Sequence, residues 1–369
     1  MKKQTYTRRK SNVKDTKKEW LELVSHHAQV GGIETSVLDN GRANGTRIAW
    51  VNTGAGLRFK VVIDRGMDIS DASFNQHNLV WLSRLGVTAP QPFSDSGINW
   101  LRTFGGGLLT TCGVTHAGGP EQDAYGSRGL HDQYSNTPAE LLSIKQPNLT
   151  AGDKQMSIIG KIFQGHPLGY NIEIKRTIRC VLGEPTIYLE DEITNIGNIQ
   201  VPHMLLYHMN FGYPLVAPGA QILWKGEWTS REGEQRAKIF KKGENFRSCP
   251  EPMQSHSGTG EEAALIDVEA DQEGIASCGI NNPQLDFALR IRFHKKQLPW
   301  LTNWQHWGTG EYVAGLEPGT HPPLGQSHAR QNGDLIRLAP GESRKYSLQV
   351  DIIQDPQKRT EFVNSYINL

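Results

Sequence analysis

The sequence predicts an all-β, mostly antiparallel sandwich or barrel, and three observations carry that prediction. Residues 171–182, NIEIKRTIRCVL, place Ile172, Ile174, Ile178, Cys180 and Leu182 on one face and Glu173, Lys175, Thr177 and Arg179 on the other. That period of two marks a half-buried strand. The pattern resumes over 186–194 after the turn Gly183-Glu184-Pro185, which makes the pair an antiparallel hairpin. No long amphipathic helix is legible, and 39 Gly and 19 Pro punctuate the 369 residues at short intervals. Many short strands separated by turns belong to a sandwich or barrel, which extends well past 200 residues as one domain.

Residues 1–20 read as a basic, solvated arm, and 21–369 as one domain, because no linker divides the chain. The arm carries eight Lys or Arg within residues 1–18, but Tyr6 is its only aromatic residue before Trp20, so nucleic acid is not the expected partner. It lacks the apolar segment of a secretory signal, and no apolar run approaches a membrane span. Net charge is +1, from 39 basic and 38 acidic residues, so no overall field draws the chain to nucleic acid or membrane. The cysteines, Cys112, Cys180, Cys249 and Cys278, are far apart with no CxxC pair. They read as reduced thiols of a cytoplasmic protein.

Within 33–83 the text is strand, turn, strand. Residues 46–51 and 57–63 are β-rich, and Gly41, Asn44-Gly45 and Gly54 supply turns. DRGMDIS (64–70) sets Arg65 and Asp68 beside Gly66 and allows two readings: a surface turn with a local ion pair, or a grip on sugar hydroxyls. Residues 90–104 read as a loop followed by a short helix capped by Ser94 or Asp95. Arg102 there precedes Gly105, Gly106 and Gly107, a glycine run that matches no phosphate-binding fingerprint. Residues 126–139 place His131 and Asn136 in a loop. The hairpin idea returns at the C-terminus, with 335–338, Pro340-Gly341, and then Tyr346, Leu348, Val350 and Ile352 on one face.

Two stretches hold the candidate chemistry. In 201–211, a strand period puts His203, Leu205, Tyr207, Met209 and Phe211 on one face and Met204, Leu206, His208 and Asn210 on the other. His203 and His208 therefore point apart and do not share a metal, and His208 beside Asn210 is the more site-like pair. Histidine exchanges protons near neutral pH because its unperturbed pKa is ~6.5. Glu317 ends an apolar strand before Pro318-Gly319, where partial burial raises a carboxyl into the range of a useful base. Upstream, PWLTNWQHWG (299–308) offers tryptophans that stack on a sugar ring, with Trp307 the chosen candidate.

YHMNFGYP, GLEPGTHP, GGGLLTTCGVTHAGGP and RGMDIS, in their order along the chain, together resemble the aldose 1-epimerase superfamily. The likeness is closest to a functionally unassigned bacterial branch of galactose-mutarotase-like proteins and runs over about 33–353. The resemblance implies a β-supersandwich whose concave face holds a free sugar and interconverts its anomers without cofactor or metal. It implies His208 as the general acid on the ring oxygen and Glu317 as the general base on the anomeric hydroxyl. His131 resembles a substrate-binding histidine. Arg65, Asp68, Arg102, Asn136, Asn210 and Trp307 complete the expected substrate contacts. Asp132-Gln133 departs from the Gly-Arg usual after that histidine in the branch, so an arginine contact is absent or moved. The hydroxyl-binding aspartate of the mutarotases has no clear counterpart, with Asp68 and Asp286 as candidates. A small-molecule sugar is the expected partner, and a homodimer stays open. Two other readings stand beside this one: a metal-dependent isomerase or lyase using His131, His208, Glu317 and His321, and a carbohydrate-binding protein without chemistry.

Overall fold

The structure, a computed structural model, describes residues 22–233 and 235–367. The expected basic arm at 1–20 lies outside them. The strands within its sheets pair antiparallel. A five-stranded sheet runs in chain order through Gly32–Val37, Arg47–Asn52, Leu57–Val62, Asp68–Phe74 and His77–Asn78. An eight-stranded sheet is built around Asn171–Val181, Thr186–Asn195 and Ser343–Ile353. A seven-stranded sheet runs Gly226–Ser230, Glu262–Val268, Trp300–Gly308, Glu311–Gly319, Val201–Phe211 and Ile336–Leu338, with Thr110–Val114 also paired to Val201–Phe211. This is the mostly antiparallel β-sandwich expected from the alternating segments.

The apolar alternation sets the register of the eight-stranded sheet. Ile158, Ile178, Leu189, Leu348 and Phe293 form one row across five strands, all buried. Each such side chain contributes about 2 kcal/mol on burial, and slipping one strand by one residue would exchange Ile174 for charged Glu173 or Lys175. The inner faces of all three large sheets meet in one core. Leu205, Tyr207, Met209 and Phe211 of the central strand Val201–Phe211 lie in it, while Met204 and Leu206 point the other way, against Trp100, Phe104 and Cys112. The two faces of this strand are those that its period of two predicts.

Arg176 breaks the apolar pattern of its strand and ties the sheets together. It is fully buried, and all its N–H groups are used. Nε and Nη2 donate to Asp191 at 2.8 and 2.7 Å, Nη1 to Asp68 and Gly66 O at 2.9 and 3.0 Å, and Nη2 to Thr111 Oγ1 at 2.9 Å. Tyr207 Oη donates to Asp191 at 2.8 Å, and Thr111 donates twice to Asp68. Burial pushes the Asp68 carboxyl up, against the pull of Arg176 and Thr111.

Two local expectations are corrected. The short helix of the 90–104 region is a 3-10 turn, Asn99–Arg102, that starts after Ile98, so neither Ser94 nor Asp95 caps it. The sequence reading also missed an α-helix, Pro356–Ile367, whose Phe362 and Tyr366 cover Leu223, Ala288 and Ile353. The four cysteines are buried free thiols. Among the described residues no helix is long and apolar enough to cross a membrane.

Candidate active site

Strand register brings the two candidate proton-transfer groups together. Leu206 pairs with Gly319 and Met209 with Leu316, which sets His208 opposite Glu317 across adjacent strands. On their outer sides, His208 pairs with Thr110 and Glu317 with Thr302. Directly paired residues on antiparallel strands share a face, so both side chains project from the same side of the sheet. His208 Nε2 lies 3.4 Å from Glu317 Oε1, and the two residues are only 7% and 3% exposed. A Cβ added at Gly315 would stand 2.5 Å from Glu317 Oε1, so a glycine there leaves the carboxyl its place.

This face carries unspent hydrogen-bonding capacity. His208 Nδ1, Asn210 Oδ1 and Glu317 Oε1 are buried without a hydrogen-bond partner. Asn210 itself is anchored, with Nδ2 donating to Gly107 O and His208 O at 3.1 and 3.0 Å. Native proteins satisfy most buried polar atoms, so a cluster of unsatisfied ones points to a ligand that completes it.

Aromatic rings enclose the histidine. The ring centres of Phe104, Trp304, Trp100 and His131 lie 5.1, 5.4, 6.1 and 6.1 Å from that of His208. Trp81 closes the ring of contacts at 5.7 Å from Phe104 and 6.1 Å from Trp304. Flat apolar faces beside polar groups suit a pyranose, which offers C–H on its faces and hydroxyls at its edge. Trp304 Nε1 donates to Glu261 at 2.6 Å, and Glu261 accepts from Arg231 at 2.9 Å.

The electrostatics follow from enclosure. Burial drives the His208 imidazole down to about 3, against an opposing pull from Asn210. Burial pushes the Glu317 carboxyl well up, and the positive charge of Arg231 works against that rise. His131 is also lowered by burial, and further by His208, His116 and Arg231. Both members of the central pair thus favour their neutral forms. The pair is therefore neutral overall, as imidazole and carboxylic acid.

Of the expected substrate contacts, His131 and Asn210 stand beside the pair. His131 sits in the loop with a left-handed φ of 58°, and its Nδ1 accepts from Gly118 N at 3.2 Å. The others lie elsewhere. Arg65 is not a surface residue: buried, it donates to Ser135 O, to Thr88 O and Oγ1, and to Thr103 O, and so fastens three loop segments. Asp68 is committed to Arg176 and Thr111. Asn136 is buried between Thr103 Oγ1 and Gln91 N. Trp307 is core, fully buried and 4.6 Å from Tyr312, because the period of two sends it to the face opposite Trp304. Arg102 is exposed on a different cavity. Asp286 is exposed and feels Arg359 of the C-terminal helix. His321, named for the metal reading, is bonded to Thr320 Oγ1 and Asp334 O. Asp132, which departs from the branch pattern, accepts from Thr115 and Gln164.

Sequence reasoning missed Trp81, Phe104, Arg231 and Glu261, and among the tryptophans of 299–308 it chose Trp307 over Trp304. Trp304 was within reach: register pairs it with Gly315, two residues from Glu317 on the same face. Arg231 carried no local signal, since it follows a separate edge strand, Gly226–Ser230.

The fold is a mutarotase-like sandwich. The chain belongs to the family described as a domain of unknown function, DUF4432, whose model matches residues 43–352. Solved structures share the fold. One, from Klebsiella pneumoniae and described provisionally as an aldose 1-epimerase, is 23% identical with a TM-score of 0.79 over 90% of this chain and 86% of that one. A galactose mutarotase-like protein from Clostridium acetobutylicum is 10% identical with a TM-score of 0.60, over 88% and 99%. A galactose 1-epimerase from Lactobacillus acidophilus is 10% identical with a TM-score of 0.55, over 87% and 98%. At these identities the likeness is one of fold. No protein with a curated description matches the chain.

Proposed function

We propose that the protein interconverts the α and β anomers of a free aldose, with His208 and Glu317 as its proton-transfer pair. The observation that carries this reading is the 3.4 Å approach of His208 Nε2 to Glu317 Oε1 inside an aromatic enclosure with unsatisfied polar atoms. Opening a cyclic hemiacetal removes a proton from the anomeric hydroxyl and adds one to the ring oxygen. These two oxygens share one carbon, so donor and acceptor must sit side by side. The opened aldehyde rotates about C1–C2 and recloses on the other face with the two roles reversed. A neutral imidazole beside a carboxylic acid offers one acceptor and one donor, so the pair can run the reaction in both senses. Strands on both sides of His208 and Glu317 hold the groups in register, which lowers the cost of orienting them.

Saturation-transfer NMR over a panel of free aldoses, with and without chelator, tests the reading. Exchange that survives chelation and disappears in H208A and E317Q supports it. Saturable sugar binding with no exchange in the intact protein would leave a carbohydrate-binding protein instead.

A further inference from the structure

A cavity of about 620 Å³ opens beside the aromatic enclosure without containing His208 or Glu317. The 3-10 turn Asn99–Arg102 stands between the two: Trp100 faces the enclosure, while Asn99 and Arg102 line the cavity. Arg42, from a separate loop, lines the cavity too. Among the described residues neither Arg42 nor Arg102 has a carboxylate partner, and no Asp or Glu lines this cavity. Ser94, only 2% exposed, contributes a hydroxyl with no hydrogen-bond partner. Leu85, Pro92 and Phe93 supply an apolar wall.

We infer that this cavity binds the phosphate group of a small phosphorylated metabolite, at a site separate from the acid–base pair. Two unpaired guanidinium groups supply forked donors suited to phosphate oxygens. The buried Ser94 hydroxyl gains a partner, and the apolar wall covers the carbon skeleton. The volume falls in the range of small-molecule pockets. Phosphate suits the site better than a carboxylate, since it brings more charge and more acceptor oxygens to a lining that holds two arginines and the Ser94 hydroxyl. The inference does not rest on the anomerase reading, and either can fail without the other.

The test is calorimetric titration of the full chain, in a phosphate-free buffer, with inorganic phosphate, a hexose 6-phosphate and a hexuronate. Saturable binding of inorganic phosphate and of the hexose phosphate is expected. R42Q and R102Q each weaken it about tenfold, as loss of a charge-assisted hydrogen bond does. R102K weakens it less than R102Q, and H208A leaves it unchanged. Absence of saturable binding by both phosphates overturns the inference. So does binding indifferent to R42Q and R102Q, or binding lost in H208A, which would put the anion in the sugar site. Binding of the hexuronate alone overturns the choice of phosphate.

Discussion

Tyr207 and His208 are neighbours on one strand and belong to opposite kinds of polar cluster. On the Tyr207 side, Arg176, Asp191, Asp68 and Thr111 close on one another, with every N–H of the arginine spent. On the His208 side, three buried polar atoms have no hydrogen-bond partner. The strand's two buried histidines repeat the contrast. His203 has both ring nitrogens engaged, by Val114 O at 2.9 Å and Tyr346 Oη at 2.8 Å, whereas His208 Nδ1 is unpartnered. Burial lowers both imidazoles to about 3, so the shift does not separate them. Satisfaction does. A closed network stabilises one arrangement of the sheets, while an open one keeps its donors and acceptors for a ligand.

The largest effect that would sharpen this contrast is on rate. H208A and E317Q are each expected to lower anomer exchange by about 10²- to 10⁴-fold, the usual contribution of a general acid or base. Their thermal stability should hold, because neither group has its hydrogen bonding satisfied. A loss of folding parallel to the loss of rate, seen in a melting curve, would erase the distinction. On the closed side, R176M should lose about 3–5 kcal/mol in urea unfolding, since it strands two buried carboxylates. A neutral outcome would mean that packing alone joins the sheets.

Y346F should cost about 1–3 kcal/mol, the penalty of leaving His203 Nε2 buried without its partner. A further prediction concerns pH. In the unfolded chain His203 and His208 take up protons below their ordinary pKa of 6.5, and in the folded chain only near 3. The unfolded state therefore binds more protons as pH falls from 6.5 toward 3, and stability declines across that window. H208A should flatten the slope of unfolding free energy against pH there. Glu317 has the opposite dependence: its folded value is raised above the ordinary 4.5, so it costs stability as pH rises past 4.5. E317Q should accordingly be at least as stable as the parent at neutral pH, and a less stable variant would show the carboxyl to be structurally engaged.

The alternating segments told more than strand positions. Period two separated His208 and Asn210 from the core face of 201–211, whereas Arg176, on the apolar face of 171–182, went unremarked until the structure showed it buried. A charge at such a position signals a buried partner, although the partners, Asp68 and Asp191, lie 108 and 15 residues away. Residue type chose less well among loops. Arg65 and Asp68 looked like sugar contacts because they flank Gly66, and Asn136 because it shares a polar loop with His131. Folding instead turned them inward, where backbone groups, threonine hydroxyls and an arginine claimed their hydrogen bonds.

By itself, the sequence determined the β class, the two faces of the strands at 171–182, 186–194 and 201–211, and the choice of His208 and Glu317 as candidates. All of these depend on local periodicity and on the chemistry of single side chains. Only the tertiary structure decided that the two groups meet at 3.4 Å, that Trp304 rather than Trp307 faces them, and that Arg231 supplies the nearby positive charge. Those facts depend on register between strands as much as a hundred residues apart. Such pairing is settled by which cross-strand arrangement buries the most apolar surface while satisfying polar groups, a property of the whole chain that no single stretch contains.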